Sequence, residues 1–337
     1  MELQEHVRLS VLTTLRVGGA ASFLARCKSE EDVRAALAFA NERGLPWRVL
    51  GGGSNVLAAD EGFAGVIIRM ELDGSAFDPV QDDAVIATLG AGVGWDTFVR
   101  ESAARGLWGV ENLAGIPGTV GAAPVQNIGA YGSETKDTIV EVRALDTRTG
   151  QLRILPSEAC GFGYRDSRFK QDASLIILSV SFRLSYDAGP KLTYADLARA
   201  QEAGADLSSP AAVGETVRAI RAKKFPDLSA IGTAGSFFKN PVITKDAYDA
   251  LVGRYPELPS YPATNGVKIP LAFILDRVIG LRGYRDGSVA LFEAQPLVLV
   301  AHEGATARDI DAFANDVASR VHDATGITIE REVRLLP

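Results

Sequence analysis

The sequence predicts an α+β protein of two or three lobes, and three observations support this prediction. The chain has 337 residues with 47% hydrophobic content, enough for more than one core because a domain usually spans ~100–200 residues. Strand-like apolar runs alternate with amphipathic helical segments along the chain. Two glycine-rich loops, at 51–55 and 115–132, interrupt that alternation.

Composition excludes several classes of function. The formal net charge is −7, so the chain lacks the overall basic character that nucleic acid or an anionic membrane surface would call for. Its two cysteines, Cys27 and Cys160, have neither metal-ligand spacing nor the CxxC spacing of a redox pair. The amino terminus lacks a secretion signal, and no apolar stretch approaches the ~20 residues of a membrane span. We therefore expect a cytoplasmic protein with no nucleic-acid or membrane partner.

The first predicted lobe is a small α/β unit. Ser29 and Asp32 resemble a capping box at the start of an amphipathic helix. A strand is predicted at 47–50, and a second apolar run lies at 66–68 after the first glycine loop. We assign this lobe to residues 1–72.

The second predicted lobe, residues 73–224, is rich in sheet. Strand-like segments occur at 85–89, 139–145 and 175–184, and a helix is predicted at 95–105. The second glycine loop lies within this lobe. Loops of its length without periodicity are usually functional or disordered.

A third region is predicted at 225–325, after a helical segment that ends in a basic pair. Helices are predicted at 269–279 and 306–324, with a strand at 296–300 between them. The terminal segment, 326–337, reads as a strand that returns to the second lobe.

The two glycine loops suggest a site for a diphosphate. Glycines let backbone N–H groups approach phosphate oxygens that side chains would otherwise block. Neither loop carries the dinucleotide pattern GxGxxG, the glycines at 90–94 have the wrong spacing, and the Walker pattern is absent. A flavin dinucleotide therefore fits better than a nicotinamide dinucleotide, with tight turns between strands as the alternative.

Six segments occur in an order that is typical of one family. They are TLRVGG at 14–19, LGGGSN at 50–55, IPGTVGAAPVQNIGAYG at 116–132, YRDS at 164–167, GSFFKNP at 235–241 (the serine run) and EVR at 332–334. In these segments the chain resembles the UDP-N-acetylenolpyruvoylglucosamine reductases, which are vanillyl-alcohol-oxidase-like flavoproteins. One departure is Thr13, where the family commonly has asparagine.

The resemblance implies a fold, a reaction and a set of partners. The fold would be a two-lobed FAD-binding domain of the vanillyl-alcohol-oxidase (PCMH) type, followed by a smaller α+β substrate-binding domain. A monomer would use NADPH and FAD to reduce UDP-N-acetylglucosamine enolpyruvate to UDP-N-acetylmuramate in peptidoglycan synthesis. The histidines His6, His302 and His322 lie outside both glycine loops, so FAD is expected to be noncovalent.

The resemblance also implies which residues contact FAD, and all of them lie in the two glycine loops. They are Gly51, Gly52, Gly53, Ser54, Asn55, Ile116, Gly118, Thr119, Gly121, Ala122, Gln126, Asn127, Gly129, Ala130 and Tyr131.

Three residues match the family's catalytic positions. When flavin N5 passes a hydride to the enolpyruvyl group, Arg165 and Glu332 would stabilise the charge that develops on the substrate carboxylate. Ser236 would then donate the second proton. A bound cation, water or Lys239 could assist this serine, and Glu330 is the close competitor of Glu332.

Five further residues match substrate-binding positions. Lys224 and Asn240 would bind the diphosphate and uridine portions, while Tyr194, Gln295 and Tyr164 match other contacts. Tyr194 lies in a segment, 192–197, that resembles the substrate-covering tyrosine loop of one family subtype. No metal site is implied.

Three other functions compete with this interpretation. A flavin oxidase on the same fold would need both glycine loops, and a flavin sensor would need no chemistry at all. UDP-sugar transferases often use a metal-binding Asp-x-Asp pair, for which Asp309 and Asp311 are the candidates. They lie on a predicted amphipathic helix, where a solvated face is the favoured interpretation.

Overall fold

The computed structural model describes residues 1–81 and 83–337. Its strands are β1 Glu2–Arg8, β2 Ala20–Cys27, β3 Trp47–Leu50, β4 Val56–Ala58, β5 Phe63–Met70, β6 Ser75–Val80, β7 Ala84–Gly90, β8 Gly129–Ala130, β9 Ser133–Glu134, β10 Ile139–Asp146, β11 Gln151–Pro156, β12 Leu175–Ser185, β13 Gly232–Ser236, β14 Val242–Ile243, β15 Tyr261–Ala263, β16 Gly266–Lys268, β17 Arg285–Asp286, β18 Val289–Phe292, β19 Gln295–Ala301 and β20 Arg334–Leu336. Its helices are α1 Glu30–Glu42, α2 Trp95–Ala104, α3 Arg168–Gln171, α4 Ala195–Glu202, α5 Pro210–Lys224, α6 Lys245–Arg254, α7 Leu271–Phe273 and α8 Ala307–Thr325.

The chain forms two compact units. Unit 1 contains Met1–Val7, Ala21–Gly53 and Ala64–Ala222, and unit 2 contains Arg8–Ala20, Ser54–Phe63 and Lys223–Pro337. The boundary after Ala222 falls within the last turn of α5, close to the boundary predicted before residue 225.

Among the described residues, unit 1 contains two large sheets and the two-stranded sheet β8-β9. One has the strand order β1-β2-β5-β3, and the other has the order β11-β10-β12-β7-β6 with antiparallel pairing throughout. Buried residues from 25 to 217 form one continuous apolar cluster. The structure therefore differs from the prediction of separate lobes at 1–72 and 73–224, because both segments share this core.

Local signals account for the first helix. Ser29 caps α1 by accepting a hydrogen bond from the Asp32 N–H at 3.2 Å, as the capping box predicts. Val33, Leu37 and Ala40 lie on one face of α1 and are buried.

Unit 2 is built around a four-stranded sheet of order β13-β19-β18-β17 and a three-stranded sheet of order β14-β16-β15. Helix α8 begins at a capping box between Thr306 and Asp309, and it ends at Gly326 in the left-handed conformation. Its apolar face, which includes Ile310, Phe313 and Val317, belongs to the core of this unit.

The terminal segment differs from the prediction. It returns to an earlier part of the chain, but its partner is β4 of unit 2, with which β20 pairs in parallel. Only Arg334–Leu336 is a regular strand. Residues 326–337 thus group with unit 2 and not with the second predicted lobe, because β20 finds its backbone partner in residues 56–58.

The helix predicted at 269–279 is shorter and wider than expected. It begins as Leu271–Phe273 and continues as a π-helical turn, Ile274–Val278. Among the described residues, no helix combines the length and apolar character needed to cross a bilayer.

Candidate active site

The two glycine loops pack directly against each other within unit 1. A Cβ built on Gly51 would lie 2.8 Å from Thr119 Oγ1, and one built on Gly52 would lie 2.7 Å from Gly118 Cα. These distances leave no room for a side chain at either position. The loops therefore require glycine for close backbone approach.

Unused backbone donors are concentrated in these loops. Within the described parts of the chain, the N–H groups of Gly51, Gly52 and Gly53 make no internal hydrogen bond, nor do those of Gly118 and Thr119. The Thr119 hydroxyl is buried and has no hydrogen-bond partner, so it is a further polar group available to a ligand. Unpaired backbone N–H groups and a hydroxyl suit the oxygens of a diphosphate, so these residues fit FAD.

Asn127 organises the second loop from inside. Its Nδ2 donates to Glu134 Oε2 at 2.9 Å and to the Gly163 carbonyl at 3.0 Å. Its Oδ1 accepts from Thr135 Oγ1 at 3.2 Å and from the Lys136 N–H at 3.0 Å. The fully buried side chain is saturated by the protein itself. Asn127 was predicted to contact FAD, but its side-chain amide is already fully used by residues that follow the loop.

Arg165 lies in a tight turn that the second loop holds in place. Gly163 and Asp166 pair across this turn, and Arg165 takes the left-handed conformation with φ +53°. Its Nη2 donates to the Gly129 carbonyl at 2.6 Å. A left-handed arginine costs free energy, which the surrounding contacts must offset.

Two neighbours of Arg165 help to fix the turn. Ser167 is fully buried, and its hydroxyl donates to the Val125 carbonyl at 2.6 Å. The Tyr164 ring lies beside the guanidinium of Arg165, with 5.4 Å between the ring centroid and Cζ. The YRDS segment is thus bound to the second glycine loop, which places two predicted motifs together.

The start of the second loop is held by two residues that the sequence did not single out as functional. Asp96 Oδ1 accepts the Gly115 N–H at 2.6 Å, and Arg221 Nε donates to the Gly115 carbonyl at 3.1 Å. Burial disfavours the charge on Asp96, but hydrogen bonds from Arg218 and Gly115 outweigh this and hold the pKa of Asp96 below its usual value. Asp96 of α2 and Arg221 of α5 lie far in sequence from each other, and no sequence motif marks their shared contact with Gly115.

Arg221 also reaches the tyrosine pair of unit 1. It is hydrogen-bonded to the Tyr131 hydroxyl, and the Tyr131 ring packs edge-on against Tyr194 with centroids 5.2 Å apart. Burial raises the pKa of Tyr131 to about 12 and lowers the pKa of Arg221. Tyr194 itself is exposed at the start of α4.

Ser236 is the last residue of β13 in unit 2. It pairs with Val298 of β19 after an irregular step in the register, and Gly235 before it has φ +75°. The Gly235 N–H donates to Thr233 Oγ1 at 3.1 Å, which helps to fix this bend. The serine side chain is half-buried at the end of a regular strand.

Glu332 lies beside the serine run within unit 2. Phe238 and Arg331 form an antiparallel bridge, and the Glu332 N–H donates to the Phe237 carbonyl at 2.8 Å. The Glu332 carbonyl accepts from Asn55 Nδ2 at 3.2 Å. Two predicted catalytic segments distant in sequence are therefore adjacent. Glu332 was predicted to approach with the second lobe, but it belongs to the unit that contains the serine run.

The structure separates Glu332 from its competitor. Glu330 is 72% exposed and pairs with Lys239 at 2.7 Å, so both side chains take part in a surface ion pair. Glu332 is half-buried. These contacts favour Glu332 as the functional carboxylate, and they occupy the lysine considered as an aid to Ser236.

The predicted substrate residues divide between the two units. Tyr164 and Tyr194 belong to unit 1, whereas Lys224, Asn240 and Gln295 belong to unit 2. Asn240 Oδ1 accepts the Leu271 N–H at 2.9 Å, which leaves its NH₂ group for a ligand. Gln295 Oε1 is buried without a partner, an arrangement that calls for a donor from outside the protein.

A row of side chains near Asn240 was missed from the sequence. The cross-strand pairs Val242–Lys268 and Tyr261–Lys268 place three residues side by side on the three-stranded sheet. Tyr261 is exposed, as is Val242. The strands that carry these residues are only two or three residues long, too short to show an alternating pattern in the sequence. Their pairing in the folded sheet brings the three side chains together.

Asp309 and Asp311, the candidate metal-binding pair, form hydrogen bonds with other residues of unit 2. Asp309 Oδ2 accepts from the Thr306 hydroxyl at 2.7 Å in the cap of α8. Asp311 Oδ1 accepts from Arg331 Nη1 at 2.6 Å. The two carboxylates serve a helix cap and an ion pair, as expected of a solvated helix face.

The fold and loops define an FAD-binding protein with a separate C-terminal domain. A family model described as an FAD binding domain matches residues 21–155. A second, described as the C-terminal domain of UDP-N-acetylenolpyruvoylglucosamine reductase, matches residues 226–336.

Similar proteins cover the whole chain. The UDP-N-acetylenolpyruvoylglucosamine reductase of Pseudomonas aeruginosa is 43% identical over 99% of both chains. That of Bdellovibrio bacteriovorus is 39% identical over 98% of this chain and 99% of its own length. The crystal structure of the Thermus caldophilus enzyme covers 100% of both chains at 26% identity with a TM-score of 0.69.

The chain belongs to the UDP-N-acetylenolpyruvoylglucosamine reductase family. The resemblance inferred from six sequence segments is confirmed. The predicted α+β class, with an FAD-binding domain and a second domain, is also confirmed, and the chain is an FAD-binding oxidoreductase.

The close approach of the two loops predicts that a side chain at Gly52 weakens FAD binding. In Gly52→Ala the added Cβ would clash with the Gly118 backbone, and overpacking of this kind costs about 1–3 kcal/mol. Because the clash displaces the loops that hold FAD, we expect FAD affinity to fall roughly 5- to 150-fold. Titration of apo-protein with FAD, followed by flavin fluorescence, measures the change. Gly253→Ala is the control, because a Cβ there meets nothing within 4 Å. Unchanged FAD affinity in Gly52→Ala would contradict the assignment of these loops.

Proposed function

We propose that this chain reduces the enolpyruvyl group of UDP-N-acetylglucosamine enolpyruvate to give UDP-N-acetylmuramate, with NADPH as the source of the hydride. The reaction serves peptidoglycan synthesis in the cytoplasm, and the enzyme acts as a monomer. The single observation that carries this proposal is the backbone pairing of the serine run with Arg331 and Glu332, in a protein with an FAD-binding domain. The Glu332 N–H donates to the carbonyl of Phe237, the residue that follows Ser236.

The substrate determines which protein groups are needed. Its carbon-carbon double bond is conjugated to a carboxylate, so a hydride adds to the terminal carbon and negative charge develops on the inner carbon and the carboxylate. A cation near that carboxylate stabilises the charge. A proton delivered to the inner carbon then completes the saturated product.

FAD would be held by the backbone N–H groups of Gly51–Gly53, Gly118 and Thr119, with the Thr119 hydroxyl as a further contact. When bound, it supplies two-electron chemistry, in which a hydride from NADPH is passed on to the substrate. The tight fit of Gly51 and Gly52 against the second loop keeps these groups in position.

Arg165 is the cation for the substrate carboxylate. Its guanidinium is already oriented by the Gly129 carbonyl and the Tyr164 ring, so little reorganisation is required when charge develops. Glu332 assists as an acid, and Ser236 Oγ donates the proton to the inner carbon.

The UDP portion is recognised by residues of unit 2. Lys224 supplies charge for the diphosphate, which a protein of net charge −7 must provide locally. Asn240 donates to the uracil ring through its free NH₂ group, and Gln295 Oε1 accepts from the sugar or the base. Tyr261 offers an exposed aromatic face, on which a uracil ring can stack.

A visible spectrum followed through two additions tests the function. Purified protein reconstituted with FAD should be yellow, should bleach with NADPH in the absence of air, and should recover its colour when the enolpyruvyl sugar is added. Rapid recovery of colour on admission of air alone would favour a flavin oxidase. Protein that binds no FAD would favour a UDP-sugar transferase, and a flavin that NADPH does not bleach would favour a sensor.

A further inference from the structure

Two residues of α8, Asp311 and Asn315, accept hydrogen bonds from Arg331, the residue that precedes Glu332. Arg331 Nη1 donates to Asp311 Oδ1 at 2.6 Å, while its Nη2 donates to Asn315 Oδ1 at 2.8 Å and to the Asp311 carbonyl at 3.2 Å. Asn315 Nδ2 in turn donates to Asp311 Oδ2 at 3.2 Å, one helical turn away. We call this set of three residues the arginine clamp.

The arginine clamp is less exposed and makes more hydrogen bonds than an ordinary surface ion pair. The Arg331 side chain is only 22% exposed, and its guanidinium makes three hydrogen bonds to two residues. A planar fork that engages several acceptors fixes direction as well as distance, which a flexible lysine cannot do. Single exposed pairs, in contrast, typically contribute less than about 1 kcal/mol.

The segment held by the clamp has little regular structure of its own. Residues 327–330 belong to no helix or strand, and the regular strand β20 begins only at Arg334. An antiparallel bridge between Arg331 and Phe238 joins the segment to the serine run, with hydrogen bonds from the Lys239 N–H to the Glu330 carbonyl at 2.9 Å and from the Glu332 N–H to the Phe237 carbonyl at 2.8 Å. These bonds hold the backbone, and the clamp adds a side-chain restraint that ties Arg331 to α8.

We propose that Arg331 is a positioning residue that acts through Glu332. In extended backbone, successive side chains project to opposite faces. Anchoring Arg331 on α8 therefore sets the side from which Glu332 projects next to the serine run. This inference rests on the proposed function of Glu332, and it assigns Asp311 and Asn315 a role in the same device.

The clamp predicts a selective kinetic defect. A misplacement of ~1 Å in a reacting group can cost on the order of 10²-fold in rate, so partial loosening should cost about 10-fold. In Arg331→Met, anaerobic bleaching of the flavin by NADPH should proceed as in wild type. Reoxidation by the enolpyruvyl sugar should be about 10-fold slower at saturation, with little change in KM.

Two further variants separate positioning from general stability. Asp311→Asn, which weakens the clamp from the helix side, should show the same selective defect in milder form. Asp316→Asn is the matched control, because Asp316 on the same helix pairs with Arg320 at 2.8 Å and does not touch residues 330–332. It should behave as wild type in both half-reactions.

Amide hydrogen exchange provides a readout independent of activity. Peptides covering residues 327–336 should exchange faster in Arg331→Met and Asp311→Asn than in wild type or Asp316→Asn. Unchanged exchange in Arg331→Met, or equal slowing of both half-reactions, would overturn the proposal. If wild type is not reoxidised by the enolpyruvyl sugar, the proposed function fails instead, and faster exchange alone then marks Arg331 as structural and overturns its positioning role.

Discussion

Replacing Ser236 by alanine is expected to leave NADPH bleaching of the flavin intact and to slow reoxidation by the enolpyruvyl sugar by about 10²–10⁴-fold. The two half-reactions should separate because only the second one requires a proton on the inner carbon. Anaerobic stopped-flow absorbance of the flavin measures both. Normal turnover by Ser236→Ala would contradict the assignment of the proton donor.

The chain offers a matched control and a rescue for this experiment. Ser229→Ala removes an exposed hydroxyl of the same unit that donates to Asp227 at 2.6 Å, and it should not affect either half-reaction. Ser236→Cys retains a proton donor with an ordinary pKa of ~8.5, so it should recover part of the lost rate. A cysteine variant as slow as the alanine variant would indicate that the hydroxyl acts by orienting water.

Replacing Arg165 by methionine is expected to slow the same half-reaction by about 10²–10³-fold, the usual effect of losing one preorganised group that stabilises developing charge. The loss should appear in kcat, because the guanidinium acts on charge that develops as the hydride is transferred. Single-turnover reoxidation of NADPH-reduced enzyme measures it directly.

Two companion variants identify what Arg165 contributes. Arg165→Lys keeps the charge but loses the planar fork that donates to the Gly129 carbonyl, so it should recover only part of the rate. Arg168→Met removes an exposed arginine from the next helix and should be neutral. Equal losses in Arg165→Met and Arg168→Met would identify a general basic patch as the source of the effect.

Elements with local signals were well predicted from the sequence. The strand Trp47–Leu50 has the bounds that its apolar run and the following glycines predict. Helix α1 begins after Ser29 because the cap is encoded in adjacent residues. The glycine loops were recognised because close backbone approach demands glycine. Patterns of this kind involve residues that are neighbours along the chain.

Features that depend on distant partners were not predictable. The pairing of β20 with β4 joins two three-residue strands far apart in sequence, and neither strand is long enough to show alternation. The π-helical turn at Ile274–Val278 retains the apolar spacing of an ordinary helix. From the sequence, Asp311 and Asp309 resembled a metal-binding pair. The actual partner of Asp311 is Arg331, which lies twenty residues further along the chain and so leaves no local pattern.

The left-handed turns of unit 1 have a consequence for cofactor loading. Asn127, Tyr131 and Arg165 all have positive φ. Hydrogen bonds from Asn127 to Glu134 and to the Gly163 carbonyl, and from Arg165 to the Gly129 carbonyl, help to support this strained geometry. We therefore expect these turns to keep their conformation in the apo-protein, so that FAD binds to turns that are already formed.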